Sequence, residues 1–212
     1  DPLVDLRVLR APGLRAGLAT LAAAMAAYAG LLFSLALHLQ AGLGHSPLRA
    51  GLTVAPAAAA YGATGYWWRR LPAGVHHALP PAGLGLTTLA YLGMAGTLQA
   101  GGRGQPWLML LLVLFGAGMG AAFSPVLTQA LVSVPSSQAA DASGLLTTTM
   151  QLSQVFGVAV FGGLFLSLAA HPQAHASATA FATVMLWLAA LSLSGVAAAT
   201  VLARTVLRAA TR

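Results

Sequence analysis

The 212-residue sequence has no cysteine, lysine, asparagine, isoleucine or glutamate, and its only acids are Asp1, Asp5 and Asp141. Without cysteine there can be no disulfide framework and no thiolate metal site. Charged residues make up 6% of the chain against 58% hydrophobic residues, whereas a soluble domain of this size carries roughly 25% charged residues. So few charges cannot coat a water-soluble surface. The missing residue types, set beside abundant alanine, glycine and arginine, are the bias of a GC-rich coding sequence and point to a high-GC bacterium.

What the chain does contain is apolar sequence punctuated by arginine. Ten arginines against three acids would suit nucleic acid only as a patch on a polar domain. Here they sit between apolar stretches, so no nucleic-acid partner is expected. A membrane helix needs about 20 mostly apolar residues to cross roughly 30 Å of hydrocarbon. Six stretches qualify, at residues 16–39, 48–68, 79–98, 106–132, 144–169 and 178–203, and Arg49 is the one charge within them. They are too long and too uniformly apolar for barrel strands. The reading is an all-α membrane protein with a cytoplasmic lead at 1–15, a six-helix bundle at 16–203 and a basic tail at 204–212. The lead lacks a signal peptide's pattern and the chain starts at Asp1, so the start is expected to be internal to a longer protein.

Short connections carrying positive charge stay on the cytoplasmic side. Along an alternating six-helix path, Arg7, Arg10, Arg15, Arg69, Arg70, Arg204, Arg208 and Arg212 fall on one side, and Arg49 and Arg103 on the other. Both termini are therefore expected in the cytoplasm. Tyr66, Trp67 and Trp68 followed by Arg69 and Arg70 suit the inner interface, Trp107 suits the outer one, and Trp187, in mid-helix, is expected to pack. Gly116 and Gly120, four apart, would let helices approach closely, and Pro56 and Pro125 lie within helices.

Polar residues inside apolar stretches mark the candidate sites. Thr147, Gln151, Gln154, Val158, Phe161 and Phe165 fall on one stripe at 100° per residue, and amides facing lipid would go unsatisfied. The stripe is expected to face the interior or a cavity, for substrate contact or interhelical hydrogen bonding. Tyr28 and Tyr61 could line an apolar pocket or fill the core. His38, near the outer end of the first helix, reads as an interfacial residue able to titrate. His171 and His175 have neither carboxylate nor thiolate nearby, so no metal is expected there. Ser143 faces no histidine within the bilayer, so an intramembrane hydrolase is not expected, and nothing calls for a cofactor or a catalytic residue.

Several stretches carry a resemblance. Pro2 to Arg10 leads into the first helix; His38-Leu-Gln40 precedes Gly42-Leu-Gly-His-Ser-Pro-Leu-Arg-Ala-Gly51 and Pro56. Gly116-Ala-Gly-Met-Gly120 and Pro125 precede Val134-Pro135, Ala142-Ser-Gly144, Gln151-Leu152 and Gly157-Val-Ala159. In this order they resemble the C-terminal half of a major facilitator superfamily transporter, of the fourteen-helix drug:proton antiporter (multidrug efflux) group. The resemblance implies a six-helix half-fold built as two inverted three-helix repeats. It implies export of a lipophilic small molecule by alternating access, in exchange for protons, across the inner (plasma) membrane of a bacterium. Tyr28, Tyr61, Thr147, Gln151 and Gln154 would bind substrate, and Gly65, Arg69 and Arg70 would belong to a gating loop. That loop has His76 and His77 where the family has basic residues. The partners implied are the lipid bilayer, protons and a missing N-terminal half. No acid lies inside a span, so a carboxylate proton site would belong to that half. A six-helix membrane subunit, structural or permease-like, is the alternative.

Overall fold

The computed structural model describes residues 11, 13–99, 105–132, 134–170 and 176–210. They form six long helical passes. The first is α1 (Leu14–Leu37), which runs into a π-helical turn at His38–Gly42. The second is α2 (Pro47–Trp67), followed by 3-10 turns at Trp68–Arg70 and Ala73–Ala78. Then come α3 (Leu79–Gln99) and α4 (Gln105–Leu131). The fifth pass joins α5 (Ala139–Gly157), a π-helical turn at Val158–Gly162 and α6 (Gly163–Ala169). The sixth is α7 (Ala176–Ala210).

Local sequence explains the ends. Ser46 caps α2 by accepting the Arg49 amide at 3.3 Å, and Pro47 occupies the first turn, where its missing N–H is not needed. At the end of the first pass, Gly44 takes a left-handed φ of 67° and turns the chain. The amides of Leu43, Gly44 and His45 then return to the carbonyls of His38, Gln40 and Leu39. Two helices outrun the apolar stretches that announce them. Asp141 lies in the first turn of α5, and Arg208 lies in the last turn of α7. Each charge complements its end of the helix dipole, so helix continues where hydrophobicity stops.

Four passes are long and apolar enough to cross a membrane by length and composition: Leu14–Gly42, Trp107–Leu131, Ser136–Ala169 and Ala176–Arg208. α2 and α3 are less apolar because they are rich in alanine, glycine, proline and threonine. Each still has 21 residues, about 32 Å at 1.5 Å per residue, which matches the hydrocarbon thickness.

The packing has a hidden regularity. α1 packs on α5 and α7, α4 packs on α2 and α3, α3 packs on α7, and α1 touches α4. Exchanging α1 with α4, α2 with α5 and α3 with α7 leaves this set of neighbours unchanged, as two inverted three-helix repeats require. α3 and α7 form the back of the bundle, where Thr88 donates to Ser192 at 2.9 Å between fully packed surfaces that include Tyr91 and Phe181. α1 and α4 run through the middle, and α2 and α5 form the two front edges. Large apolar side chains face outward, as lipid tails permit. Trp187 is among them, 59% exposed, which corrects the expectation that it packs. Lipid exacts no penalty from an apolar ring on the outer face.

Candidate functional site

Glycines set the helix spacing around the site. A Cβ on Gly116 would strike the Ala57 carbonyl, and one on Gly120 would strike the Tyr61 carbonyl, so α4 and α2 meet backbone to backbone. Gly118, on another face of α4, does the same against Gly83 and Thr87 of α3. Thr64 fastens the α2–α4 seam by donating to the Ala117 carbonyl at 3.0 Å. On the other front edge, Gly157 of α5 lies against the Ala26 carbonyl of α1.

Between these two seams lies a cavity of about 430 Å³. α1 supplies Met25, Tyr28 and Leu32; α2 supplies Val54, Ala57 and Tyr61; α4 supplies Phe115, Met119 and Phe123; and α5 supplies Gln154. Tyr28 stacks on Phe115 with centroids 6.2 Å apart and planes 12° from parallel. Tyr61 tilts against Phe123, also at 6.2 Å. Gln154 Nε2 donates only to Met25 Sδ, at 3.7 Å, and a thioether is a weak acceptor that a ligand carbonyl could replace. No charged side chain lines the cavity. Aromatic faces with a single amide favour a flat, lipophilic guest held by stacking and one or two hydrogen bonds.

The structure brings Tyr28, Tyr61 and Gln154 together and leaves the rest of the polar stripe elsewhere. Thr147 and Gln151 are exposed, and the Thr147 hydroxyl donates back to the Ser143 carbonyl at 2.9 Å. Phe161 and Phe165 are buried. Thr147, Gln151 and Gln154 all precede the π-helical turn at Val158–Gly162 and share one face of α5. What separates them is that Met25 of α1 stands against Gln154 while the other two are exposed, and the turn bears only on Phe161 and Phe165, which lie in it and beyond it.

The loop after α2 forms a separate cluster. Gly65 is half-buried, and a Cβ there would lie 3.7 Å from the Gly120 carbonyl, an ordinary contact, so that position tolerates a small side chain. Arg69 and Arg70 are exposed; the Arg69 guanidinium stands 5.7 Å from the Trp68 centroid, and that of Arg70 stands 5.4 Å from Tyr66 and 5.7 Å from Trp67. His76 Nε2 donates to the Leu71 carbonyl at 2.9 Å, and Gln129 of α4 donates to the His76 carbonyl at 2.8 Å. The cation–π contacts are thus internal to residues 66–70, and the buried Gln129 amide is the hydrogen bond that ties the loop to α4. His38 is not interfacial, as its place in the sequence suggests, but 1% exposed, 2.8 Å from Ser177 of α7. Residues 1–10, Arg103, His171 and His175 lie outside the described residues, and among the described residues no three potential metal ligands cluster.

The α4 wall of the cavity was also readable. Phe115, Met119 and Phe123 recur every four residues beside the glycine pair, which marks one helical face lining a cavity next to one closing a seam.

This architecture, six passes in two interchangeable triplets around a front cavity, agrees with a family assignment: the Major Facilitator Superfamily model matches residues 1–158, and the chain belongs to that superfamily of membrane transport proteins rather than to an enzyme family. Among its relatives, the "Probable actinorhodin transporter" of Streptomyces coelicolor is 36% identical over 78% of this chain and 29% of its own length. The "Drug efflux pump JefA" of Mycobacterium tuberculosis is 30% identical over 76% of this chain and 31% of its own length. "Multidrug resistance protein Stp" of the same organism is 27% identical over 77% and 30%. The chain thus spans about three tenths of the length of the curated relatives it matches.

Proposed function

We propose that this chain is the C-terminal half of a proton-coupled exporter of lipophilic, drug-like molecules. It would rock against a matching N-terminal half, with both chain ends in the cytoplasm. The observation that carries the reading is the uncharged aromatic cavity between α1, α2, α4 and α5. Tyr28, Tyr61 and Gln154 would contact the cargo there. Thr147 and Gln151, exposed on the same front edge, would line the central path opposite the other half. Relatives named for actinorhodin transport and drug efflux support export of a drug-like small molecule, and their greater length supports reading six helices as one half. The arginine asymmetry between the two ends of the bundle supports the orientation. Gly65, Arg69 and Arg70 would act as the inner-end loop that resets between inward- and outward-open states.

The test is export of a lipophilic fluorescent dye from a pump-deficient bacterium expressing the full-length transporter. Replacing Tyr28 and Tyr61 together by alanine should abolish most of the export at normal protein abundance, and collapsing the proton gradient should stop what remains. Undiminished export by the double variant would remove the cavity from the mechanism.

A further inference from the structure

The α1–α2 end of the bundle contains a polar contact that the export reading leaves unused. His38 opens the π-helical turn His38–Gly42, a break in regular helix of a kind that clusters at functional sites. Its ring lies against Phe181 of α7, with centroids 5.0 Å apart and planes 21° from parallel. His38 Nδ1 is 2.8 Å from Ser177 Oγ, so the contact joins the first pass to the last across 139 residues of sequence. Gly42 makes room for it: a Cβ there would run into the Ser177 hydroxyl. The other ring nitrogen, Nε2, is buried with no hydrogen-bond partner.

That asymmetry gives the contact two states. In the neutral ring the one proton sits on Nδ1 and is donated to Ser177 Oγ, which leaves Nε2 as a bare acceptor with no N–H to satisfy. A second proton puts N–H on both nitrogens, and Nε2–H then has no acceptor while the ring stays where it is. A buried cation with an unsatisfied donor is costly enough that the ring would have to reach water or gain a new partner. The π-helical turn packs against α1, α7 and α2. On the α1–α2 connection stands His45, half-buried with its own Nδ1 unpartnered, and Arg49 is exposed in the first turn of α2. α7 carries no titratable side chain from Ala176 to Ala203, and Tyr28 is the only one on α1 between Arg15 and His38. No carboxylate on these elements is available to hold the charged ring in place.

We infer that His38 is a proton-binding site that acts as a latch: the neutral ring clips α7 to the end of α1, and the protonated ring releases it. This stands on the local geometry and does not depend on what the transporter carries.

The absence of cysteine from this chain, with any cysteine in the rest of the full-length protein replaced by serine, allows a direct test. Ala180, 1% exposed and one turn beyond Ser177 on α7, is replaced by cysteine in the full-length protein reconstituted in phospholipid vesicles. Its labelling rate by dithiodipyridine, a thiol reagent that stays active in acid, is measured from pH 4 to pH 8 and divided by that of a cysteine at the exposed Leu48, to remove the thiol's own pH dependence. The ratio should rise several-fold on acidification and stay flat when His38→Gln is added. A ratio independent of pH with His38 present, or an unchanged rise in the His38→Gln protein, would overturn the latch. If His38→Gln does not fold, Ser177→Ala serves instead. It keeps the imidazole but removes its partner, so labelling at pH 8 should climb towards the acid value, and no change there would equally overturn the inference.

Discussion

The α2–α4 and α1–α5 seams occupy equivalent places in the two repeats, yet they are built differently. In the first, two glycines on one helix bring backbones together over more than a turn, and Thr64 adds a hydrogen bond across. In the second, one glycine makes the close approach, an amide faces the cavity, and both helices pass into π-helical turns, His38–Gly42 and Val158–Gly162. Equivalent position therefore does not mean equivalent mechanics. The first seam has the features of a fixed wall, and the second concentrates the irregular backbone and polar groups on which movement and recognition depend.

The largest expected effect is at Gly116. Leucine there would drive a branched side chain into the Ala57 backbone, and the destabilisation should exceed about 3 kcal/mol, seen as loss of folded protein by size-exclusion chromatography. Gly157→Ala meets the Ala26 backbone with a single methyl and should cost about 1–3 kcal/mol, read as a lower Tm in detergent. If the second seam absorbs that methyl with no change in Tm, it is looser than the glycine contact implies. Tyr61→Ala removes the ring facing Phe123 and should lower dye export about tenfold, a change of about 1.4 kcal/mol. Gln154→Leu should lower export a few-fold, and only for cargo bearing a carbonyl or hydroxyl, while Gln151→Leu, outside the cavity, should have the smaller effect. Equal losses at the two glutamines would erase the distinction between cavity wall and open path. Thr64→Val, the smallest, should cost about 0.6 kcal/mol, the average for an interhelical hydrogen bond in a membrane.

Much of this was legible in the sequence because membrane helices are written in long apolar runs and small-residue spacing. All six passes and the Gly116–Gly120 contact follow from those signals. Helix ends were less legible, since Asp141 and Arg208 extend α5 and α7 by electrostatics rather than hydrophobicity. The polar stripe of Thr147, Gln151 and Gln154 was legible as one face of α5, but which of the three a neighbouring helix covers depends on packing against α1, and no local sequence rule announces the π-helical turn that follows at Val158–Gly162. His38 was misjudged for a third reason: its burial depends on Ser177 and Phe181, 139 and 143 residues away, and a residue near the end of a span looks interfacial until its tertiary partner is known. The Met25–Tyr28–Leu32 and Phe115–Met119–Phe123 faces recur at helical spacing, but only the packed bundle shows that they look at each other.

α7 has 35 residues in one unbroken helix, about 52 Å long against roughly 30 Å of hydrocarbon. The surplus is not a free extension: Leu202 is buried and Val206 packs on the cluster that holds Leu14 of α1, Val126 of α4 and Leu146 of α5, so the end of the sixth pass is tied to three other helices. A tilt of that pass is therefore shared with the first turns of α1 and α5, and a rigid fluorophore near Ala210 would report the movement of this whole end of the bundle rather than of one helix.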